Sequence, residues 1–413
     1  MNTPMSRNVI ALEWLQFGLG RLVTAAAEEG LTIHLLTGNR SEYAYELSTV
    51  DSPHLVVHDV NTHDAQEVVE AIRAIGDVAG LINATDTWSL VSLDVREQLG
   101  LAGPDPASVR LIRDKARLRR RLHENGLSRA DGSPLAPTDD AATVAARTGL
   151  PLIVKDSAGT GSEHVWLART GDELTAVLDE ARRVTLRGHL IAEPYFLGPL
   201  YSIETLSWEG RARVLGVSSR RLSAPPVFRE EALAFPVALP SALAADAEQW
   251  IEQVLKSVGH DEGFAHTEFI LTDEGFEVVE INPRLGGGLL GEEISQTFDI
   301  NLYATFLDLV RRRRPALMEA PLTPTQGAAH ARLYAPRTGV FTECEGQELL
   351  SGHPGAPVLR PALPAGTTVR TVSHQDGCVA VLFATGATSE LALQNVLSAA
   401  GELRVRMEGD DRG

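Results

Sequence analysis

Residues Asn8 to Glu13 form an apolar run, and Leu19 to Glu29 is helical in composition. Leu31 to Leu36, His54 to Val57 and Gly80 to Asn83 read as further strands. Strands alternating with helices predict a parallel sheet of βαβ units over the first hundred residues. Gly18 and Gly20 follow the first strand, but Gly18-Leu19-Gly20 lacks a third glycine and no acidic residue closes a second strand convincingly. The turn therefore reads as a sheet-to-helix connection facing a cleft rather than a dinucleotide site.

Pro104 and Pro106 break the chain, and Val109 to Leu127, rich in Arg and Leu, predicts one amphipathic helix. A loop with Gly132, Pro134 and Pro137 leads to a short helix, Asp140 to Thr148. A buried-strand pattern over Pro151 to Lys155 follows. Strands are expected at Leu190 to Ala192, Tyr201 to Leu206 and Arg213 to Val217. Ser223 to Pro240 is Pro-rich and reads as irregular; Leu243 to Val258 reads as a helix. Thr267 to Leu271 and Phe276 to Ile281 predict a hairpin around Asp273-Glu274-Gly275. Asn301 to Arg314 predicts a helix whose four closing arginines suit the negative end of its dipole. From Pro321 onward strands and turns dominate, up to a last helix near Ser389 to Ala400.

Composition narrows the function classes. The 413 residues suit several compact units rather than one core. A net charge of −18 argues against a nucleic-acid partner, which needs a basic footprint. No apolar run is long enough for a bilayer, so no membrane partner is expected. Cys344 and Cys378 cannot make a disulfide framework, and no signal-peptide pattern opens the chain, so a cytoplasmic setting is expected.

The chemistry concentrates in His266-Thr267-Glu268-Phe269 and Glu277-Val278-Val279-Glu280-Ile281-Asn282-Pro283-Arg284. Side chains at i, i+2 and i+4 of a strand share a face. Glu280, Asn282 and Arg284 then project together, and the hairpin can bring Glu268 opposite Glu280. Two carboxylates and an amide oxygen suit Mg²⁺ completed by phosphates, and the arginine suits a transferring phosphoryl group. A solvent-facing acidic strand explains Glu277 but explains Asn282-Pro283-Arg284 and the glycines Gly286, Gly287 and Gly288 poorly. A second segment, Lys155-Asp156-Ser157-Ala158-Gly159-Thr160-Gly161-Ser162, places a lysine before a small-residue loop that can cradle phosphates, without being a Walker A loop. A plain hairpin turn is the competing reading of that loop. A third, Glu193-Pro194-Tyr195-Phe196-Leu197-Gly198, offers a carboxylate for a ribose hydroxyl beside extended backbone for an adenine edge. Lys115, on the Arg-rich helix, is within the pattern as a phosphate contact or as a solvated lysine.

These four segments, in this order, resemble the ATP-grasp superfamily, most specifically between Lys155 and Arg284, with an overall layout most similar to L-amino-acid ligases and related natural-product ligases. The resemblance implies an α/β chain in four parts. These are an N-terminal parallel α/β domain (1–104), a grasp subdomain with the Gly-rich loop (105–195), a grasp subdomain with the metal site (196–320) and a small C-terminal β-rich domain (321–413). It implies that Lys115 and Lys155 contact the phosphates of ATP and that the loop Ser157 to Ser162, including Gly159, Thr160 and Gly161, closes over them. It further implies that Glu193, Tyr195 and Phe196 hold adenosine, and that Glu268, Glu280 and Asn282 bind Mg²⁺, or Mn²⁺ in its place. Arg284, with Lys155, is implied to steady the transferred phosphate. The sequence departs from the family at Gly198-Pro199-Leu200, where a glutamate usually follows, so that its acidic function passes to Glu204. It departs again at Leu233, where amino-acid ligases often carry a histidine.

The expected activity is ATP-dependent joining of a carboxylate to an amine through an acylphosphate, one substrate being an amino acid. A carboxylase-like or nucleotide-precursor ligase and a non-catalytic ATP-binding module are the alternatives. Arg220, Arg221 and Arg229 are candidates for a substrate carboxylate, and Gly286 to Gly288 for close approach of substrate to the backbone. The Gly-rich loop and the segment Arg220 to Pro240 are candidate lids that would exclude water. A homodimer is implied by the resemblance.

Overall fold

The computed structural model describes residues 6–410 of the chain. Its N-terminal sheet has four parallel strands in the spatial order Leu55–Asp59, Thr32–Thr37, Asn8–Leu12, Val78–Ile82. Alternate residues serve two cores: Val9, Ala11, Ile33, Leu35 and Ile82 pack on one face, Ile10, Leu12, Leu36 and Leu81 on the other. Helices cover both faces, so these strands read as apolar runs rather than as alternating patterns. The glycine turn does not face a cleft. Gly18, at φ 95, lies under Tyr303, and a Cβ there would come within 2.3 Å of the phenol ring.

A second sheet is antiparallel, in the order Ser133–Pro134, Leu190–Pro194, Leu152–Asp156, Val165–Ala168. Leu152 and Val154 point into a core shared with Val144, Leu174 and Leu178 of the covering helices. The pleat turns Ile153 and Lys155 the other way, into the cavity described below.

The third sheet has eight antiparallel strands. Their order is Gly275–Asn282, Gly263–Thr272, Leu200–Trp208, Arg211–Leu222, Glu230–Phe235, Gly327–Tyr334, Cys378–Gly386, Val358–Pro361. Strands from both sides of residue 320 thus share one ladder, on which the helix Ser389–Ala400 packs through Ala392, Val396 and Ala399. A small sheet of Thr368–Val369, Gly339–Glu345 and Arg404–Met407 flanks it. Among the described residues no helix is long and apolar enough to cross a membrane.

Three expected elements differ. The segment Val109 to Leu127 is two helices, Pro106–Ile112 and Lys115–Glu124. Asp114 separates them because its side chain accepts the backbone N–H groups of Ala116 and Arg117, starting a new helix. The Pro-rich segment contains the strand Glu230–Phe235, and the preceding strand runs on to Leu222. Arg220 and Arg221 are therefore fixed in a sheet, and the non-strand part between these strands shrinks to residues 223–229. The helix before the arginine run is only Ala304–Val310. Its four arginines follow it and are neutralised by carboxylates, Arg311 and Arg313 by Glu29, Arg312 by Glu262 and Arg314 by Glu319.

The cap at Asp114 fixes where Lys115 stands. Asp114→Ala should lower stability by about 1 kcal/mol, and Asp114→Asn by much less, in urea unfolding followed by circular dichroism.

Candidate active site

A cavity of about 340 Å³ is lined by residues from the second and third sheets and by the helix that begins at Lys115. The strand register sets its floor: Glu268 is paired with Glu280, and His266 with Asn282. Like charges facing each other across a ladder repel, and each carboxylate here has its own cation. Lys115 Nζ lies 3.4 Å from Glu280 Oε2, and Arg220 Nη1 lies 3.0 Å from Glu268 Oε1. The Asn282 amide donates to Glu280 Oε1 at 2.9 Å. Burial works against charge on Glu280, but Lys115, Asn282, Arg113 and Lys155 outweigh it and hold the carboxyl well below the usual range. Among the described residues no three His, Cys, Asp or Glu side chains gather as a self-sufficient metal site. Two carboxylates with one amide oxygen at a cavity floor fit a Mg²⁺ ion that substrate phosphates and water complete.

The opposite wall carries the second lysine. Lys155 pairs with Glu193, whose other oxygen accepts from Arg119 Nη2 at 3.2 Å. Lys155 and Glu193 are both almost fully buried. Burial lowers the Lys155 pKa, assisted by Arg119 and Lys115. Burial alone would raise Glu193, but Lys155 and Arg119 hold it down. Tyr195 and Phe196 follow at the cavity edge, and the Phe196 ring lies 5.6 Å from the Arg119 guanidinium carbon and 5.4 Å from that of Arg129. Gly198 is required there: at φ 152, a Cβ would fall 2.1 Å from the Leu271 carbonyl oxygen.

Gly159, Thr160, Gly161 and Ser162 line the cavity as a loop. Lys115 Nζ donates to the Gly159 carbonyl at 2.6 Å, tying the loop to the helix N-terminus. Asp156 anchors the loop base by accepting from the backbone N–H groups of Ala158, Arg187 and Gly188. Ser157 belongs to that base and does not line the cavity. Its amide donates to the His189 carbonyl and its hydroxyl bonds the His189 ring.

Arg284 closes the floor. Its Nε donates to Asp86 Oδ2 at 2.8 Å, Nη2 reaches the same oxygen, and Nη1 donates to the Leu285 carbonyl at 2.8 Å. Beyond it the cavity is bounded by Arg220, Glu230, Arg332, Leu233 and Gly287. Glu230 serves both arginines, pairing with Arg220 and accepting from Arg332 Nε at 2.9 Å.

Several expected residues are not brought in. Arg221 is exposed and pairs with Glu231, because it alternates with Arg220 on the strand. Arg229 stacks 3.9 Å over the Tyr334 ring and donates to the Val372 carbonyl. Glu204 is buried beneath the floor, where His266 Nδ1 at 2.5 Å and the Gly286 amide at 3.4 Å take up its carboxylate. Of the three glycines only Gly287 faces the cavity. A Cβ on Gly286 would strike Leu290 at 2.4 Å, and one on Gly288 would meet Arg332 at 2.8 Å. Glu277 is not solvent-facing, being 2% exposed and bonded to Ser128 and Arg129.

Arg119, Asp86, Glu230, Arg332 and His266 were not assigned roles from the sequence. Arg119 was findable, since it lies one helical turn from Lys115 on the same face. Asp86 was findable as a carboxylate just past the carboxyl end of a parallel strand, where α/β crevices lie. Arg332 and Glu230 carried no local signal.

The profile of the ATP-grasp domain matches residues 112–288, and that of the L-amino acid ligase C-terminal domain 2 matches residues 331–408. An uncharacterized protein of Sinorhizobium fredii is 25% identical over 336 residues, covering 80% of this chain and 68% of its own length. Human carnosine synthase 1 is 24% identical over 320 residues, 72% of this chain but 39% of that enzyme. The chain therefore spans about two fifths of that relative. The crystal structure of L-amino acid ligase from Bacillus licheniformis superposes with a TM-score of 0.79 at 19% identity, covering 98% of this chain and 100% of that one. The fold is thus the ATP-grasp fold that the motifs implied.

Two measurements test the electrostatics. Glu193→Ala leaves Lys155 buried without its nearest carboxylate and should cost about 3 kcal/mol in nucleotide-free chemical unfolding. Burial opposes charge on His266, but Glu204 and Glu268 outweigh burial and Arg220, raising its pKa to about 9. A raised folded-state value means that this stabilisation is fully present below about pH 6.5 and is lost as the pH rises through about 9. The wild-type denaturation midpoint should fall more across that interval than that of His266→Gln.

Proposed function

We propose that this chain, an ATP-grasp protein with an L-amino acid ligase C-terminal domain, joins a carboxylate to an amine at the expense of ATP. The observation that carries the reading is the pair Glu268 and Glu280, held face to face with Asn282 and Arg284 beneath Lys115, Lys155 and the Gly-rich loop. The likeness to L-amino acid ligase in structure and to carnosine synthase in sequence supports an amino acid among the substrates.

In this reading adenosine lies along Glu193, Tyr195 and Phe196, with the triphosphate under Gly159 to Ser162. Glu268, Glu280 and Asn282 would hold Mg²⁺, which neutralises phosphate charge when bound. Lys115 and Lys155 bind phosphate oxygens, and Arg284 steadies the transferring group. A substrate carboxylate oxygen attacks the γ-phosphorus in line, the bond to the β–γ bridging oxygen breaks, and ADP leaves. The amine then attacks the acyl carbon of the acylphosphate, phosphate departs and the amine loses a proton. Catalysis rests on positioning and charge. Exclusion of water falls to the Gly-rich loop and to the turn at residues 223–229, whose Pro225 and Phe228 line the cavity.

Every cation in the site starts out paired, so nucleotide entry is an exchange. Lys115 would exchange Glu280 for phosphate, and Glu268, in holding the ion, would release Arg220, so that no charge is left unpaired. Arg220, which already shares Glu230 with Arg332, would then be free to meet the carboxylate of a substrate.

The reading is tested by incubating the protein with ATP, Mg²⁺ and pairs of amino acids, with ADP quantified and product mass read directly. ADP release should require an added carboxylate, and the product should have the summed mass less one water. Glu280→Gln should reduce turnover by roughly 100-fold or more, as loss of a principal charge-stabilising group does, with an unchanged melting curve. Wild-type protein that releases no ADP with any carboxylate in a broad panel would sink the proposal.

A further inference from the structure

Asp86, in the loop after a strand of the N-terminal sheet, lines the cavity and binds Arg284, two residues past the end of the strand Gly275–Asn282. Asp86 follows the strand Val78–Ile82 in a loop stiffened by its own polar groups. Asn83 Nδ2 donates to the Thr85 carbonyl at 2.9 Å, Thr85 Oγ1 donates to Asn83 Oδ1 at 3.2 Å, and Ser89 N donates to the Asp86 carbonyl at 3.2 Å. The carboxylate is therefore held at a fixed place. Its Oδ2 takes both Nε and Nη2 of Arg284; its Oδ1 faces Arg113 Nη1 at 3.5 Å and has no hydrogen-bond partner.

Arg284 has other carboxylates within electrostatic reach, Glu280 and Glu204. Glu280 lies four residues back, on the strand Gly275–Asn282 that ends two residues before Arg284, and both line the cavity. A buried guanidinium released from its partner pairs with the nearest carboxylate, because an unpaired buried charge is costly. Of the two, Glu280 shares the cavity with Arg284, and Glu280 is a proposed metal ligand. We infer that Asp86 is a positioning residue that keeps Arg284 off Glu280, leaving Glu280 available to Mg²⁺ and the arginine aimed at the transferring phosphate. The inference rests on the metal assignment of the preceding section and adds to it a residue from the N-terminal sheet. Arg113, held by the same carboxylate one residue before the Asp114 cap, makes Asp86 also the link between that sheet and the helix start that carries Lys115.

The test uses the full-length protein and reads binding rather than turnover. Calorimetric titration with ADP at a series of Mg²⁺ concentrations gives the Mg²⁺ level needed for half-maximal nucleotide affinity. In Asp86→Asn that level should rise about tenfold, the usual scale for losing a residue that orients a metal site, and high Mg²⁺ should restore affinity. Asp86→Glu, which keeps the charge, should recover most of the difference. In the amino-acid-dependent assay, Asp86→Asn should lower kcat at limiting Mg²⁺ while leaving the KM for ATP at saturating Mg²⁺ near the wild-type value. An unshifted Mg²⁺ dependence in Asp86→Asn, with a normal melting curve, overturns the inference. So does an equal loss in Asp86→Asn and Asp86→Glu that Mg²⁺ does not relieve, which is the pattern of a structural lesion. Both outcomes differ from failure of the proposed reaction, which appears as wild-type protein releasing no ADP.

Discussion

Two carboxylates face each other across one hairpin, and much of the site is arranged around that repulsion. The register that pairs Glu268 with Glu280 is fixed by backbone hydrogen bonds and by the cores on the other face of the strands, where Phe269, Val278 and Ile281 pack. The side chains cannot relieve the repulsion by shifting, because a one-residue slip would turn the apolar set outward. Relief comes from cations on separate elements, Lys115 from the helix start and Arg220 from a strand two places away in the same sheet. Such an arrangement adds little to stability, since buried pairs roughly offset their own desolvation. In the proposed reading, a divalent ion and a polyanion arriving together would replace the pairings of Lys115 and Arg220 without leaving either charge alone.

The same logic extends outward in layers. Lys155 is balanced by Glu193, Glu193 by Arg119, and Arg119 in turn lies 3.6 Å from Glu277. On the other side Arg220 is balanced by Glu230, which Arg332 shares, with His330 Nε2 3.6 Å away. These chains join elements far apart in sequence, so the cavity walls are coupled through charge as well as through packing. A strongly acidic chain can maintain a cation-lined cavity because the cations are few and local.

What the sequence disclosed follows from how far each signal reaches. The apolar run placed the buried strand that ends in Lys155, and turn chemistry placed the hairpin around Asp273-Glu274-Gly275, because both are local rules. The facing of Glu268 and Glu280 was legible because eleven intervening residues leave a hairpin few options. The break at Asp114 was written in an N-cap residue, but apolar periodicity ran across it and gave one helix where there are two. The strand Glu230–Phe235 was hidden by the prolines on either side and by Ala232-Leu233-Ala234-Phe235, which lacks alternation because both faces are covered. Pairs such as Asp86 with Arg284 or Glu230 with Arg332 lie about a hundred residues or more apart. No spacing rule reaches that distance, and only the assembled sheets bring them together.

The eight-stranded sheet has a further implication for how this chain can be divided. Glu230–Phe235 pairs on one side with Arg211–Leu222 and on the other with Gly327–Tyr334, which lies beyond residue 320. A fragment ending near that point would carry Glu230–Phe235 as an open edge, with unpaired backbone groups flanking Ala232, Leu233, Ala234 and Phe235. Such an edge invites pairing with another molecule. Residues 321–413 therefore cover the edge of the ladder that carries Glu268 and Glu280, and the eight-stranded sheet runs straight across the boundary expected at residue 320.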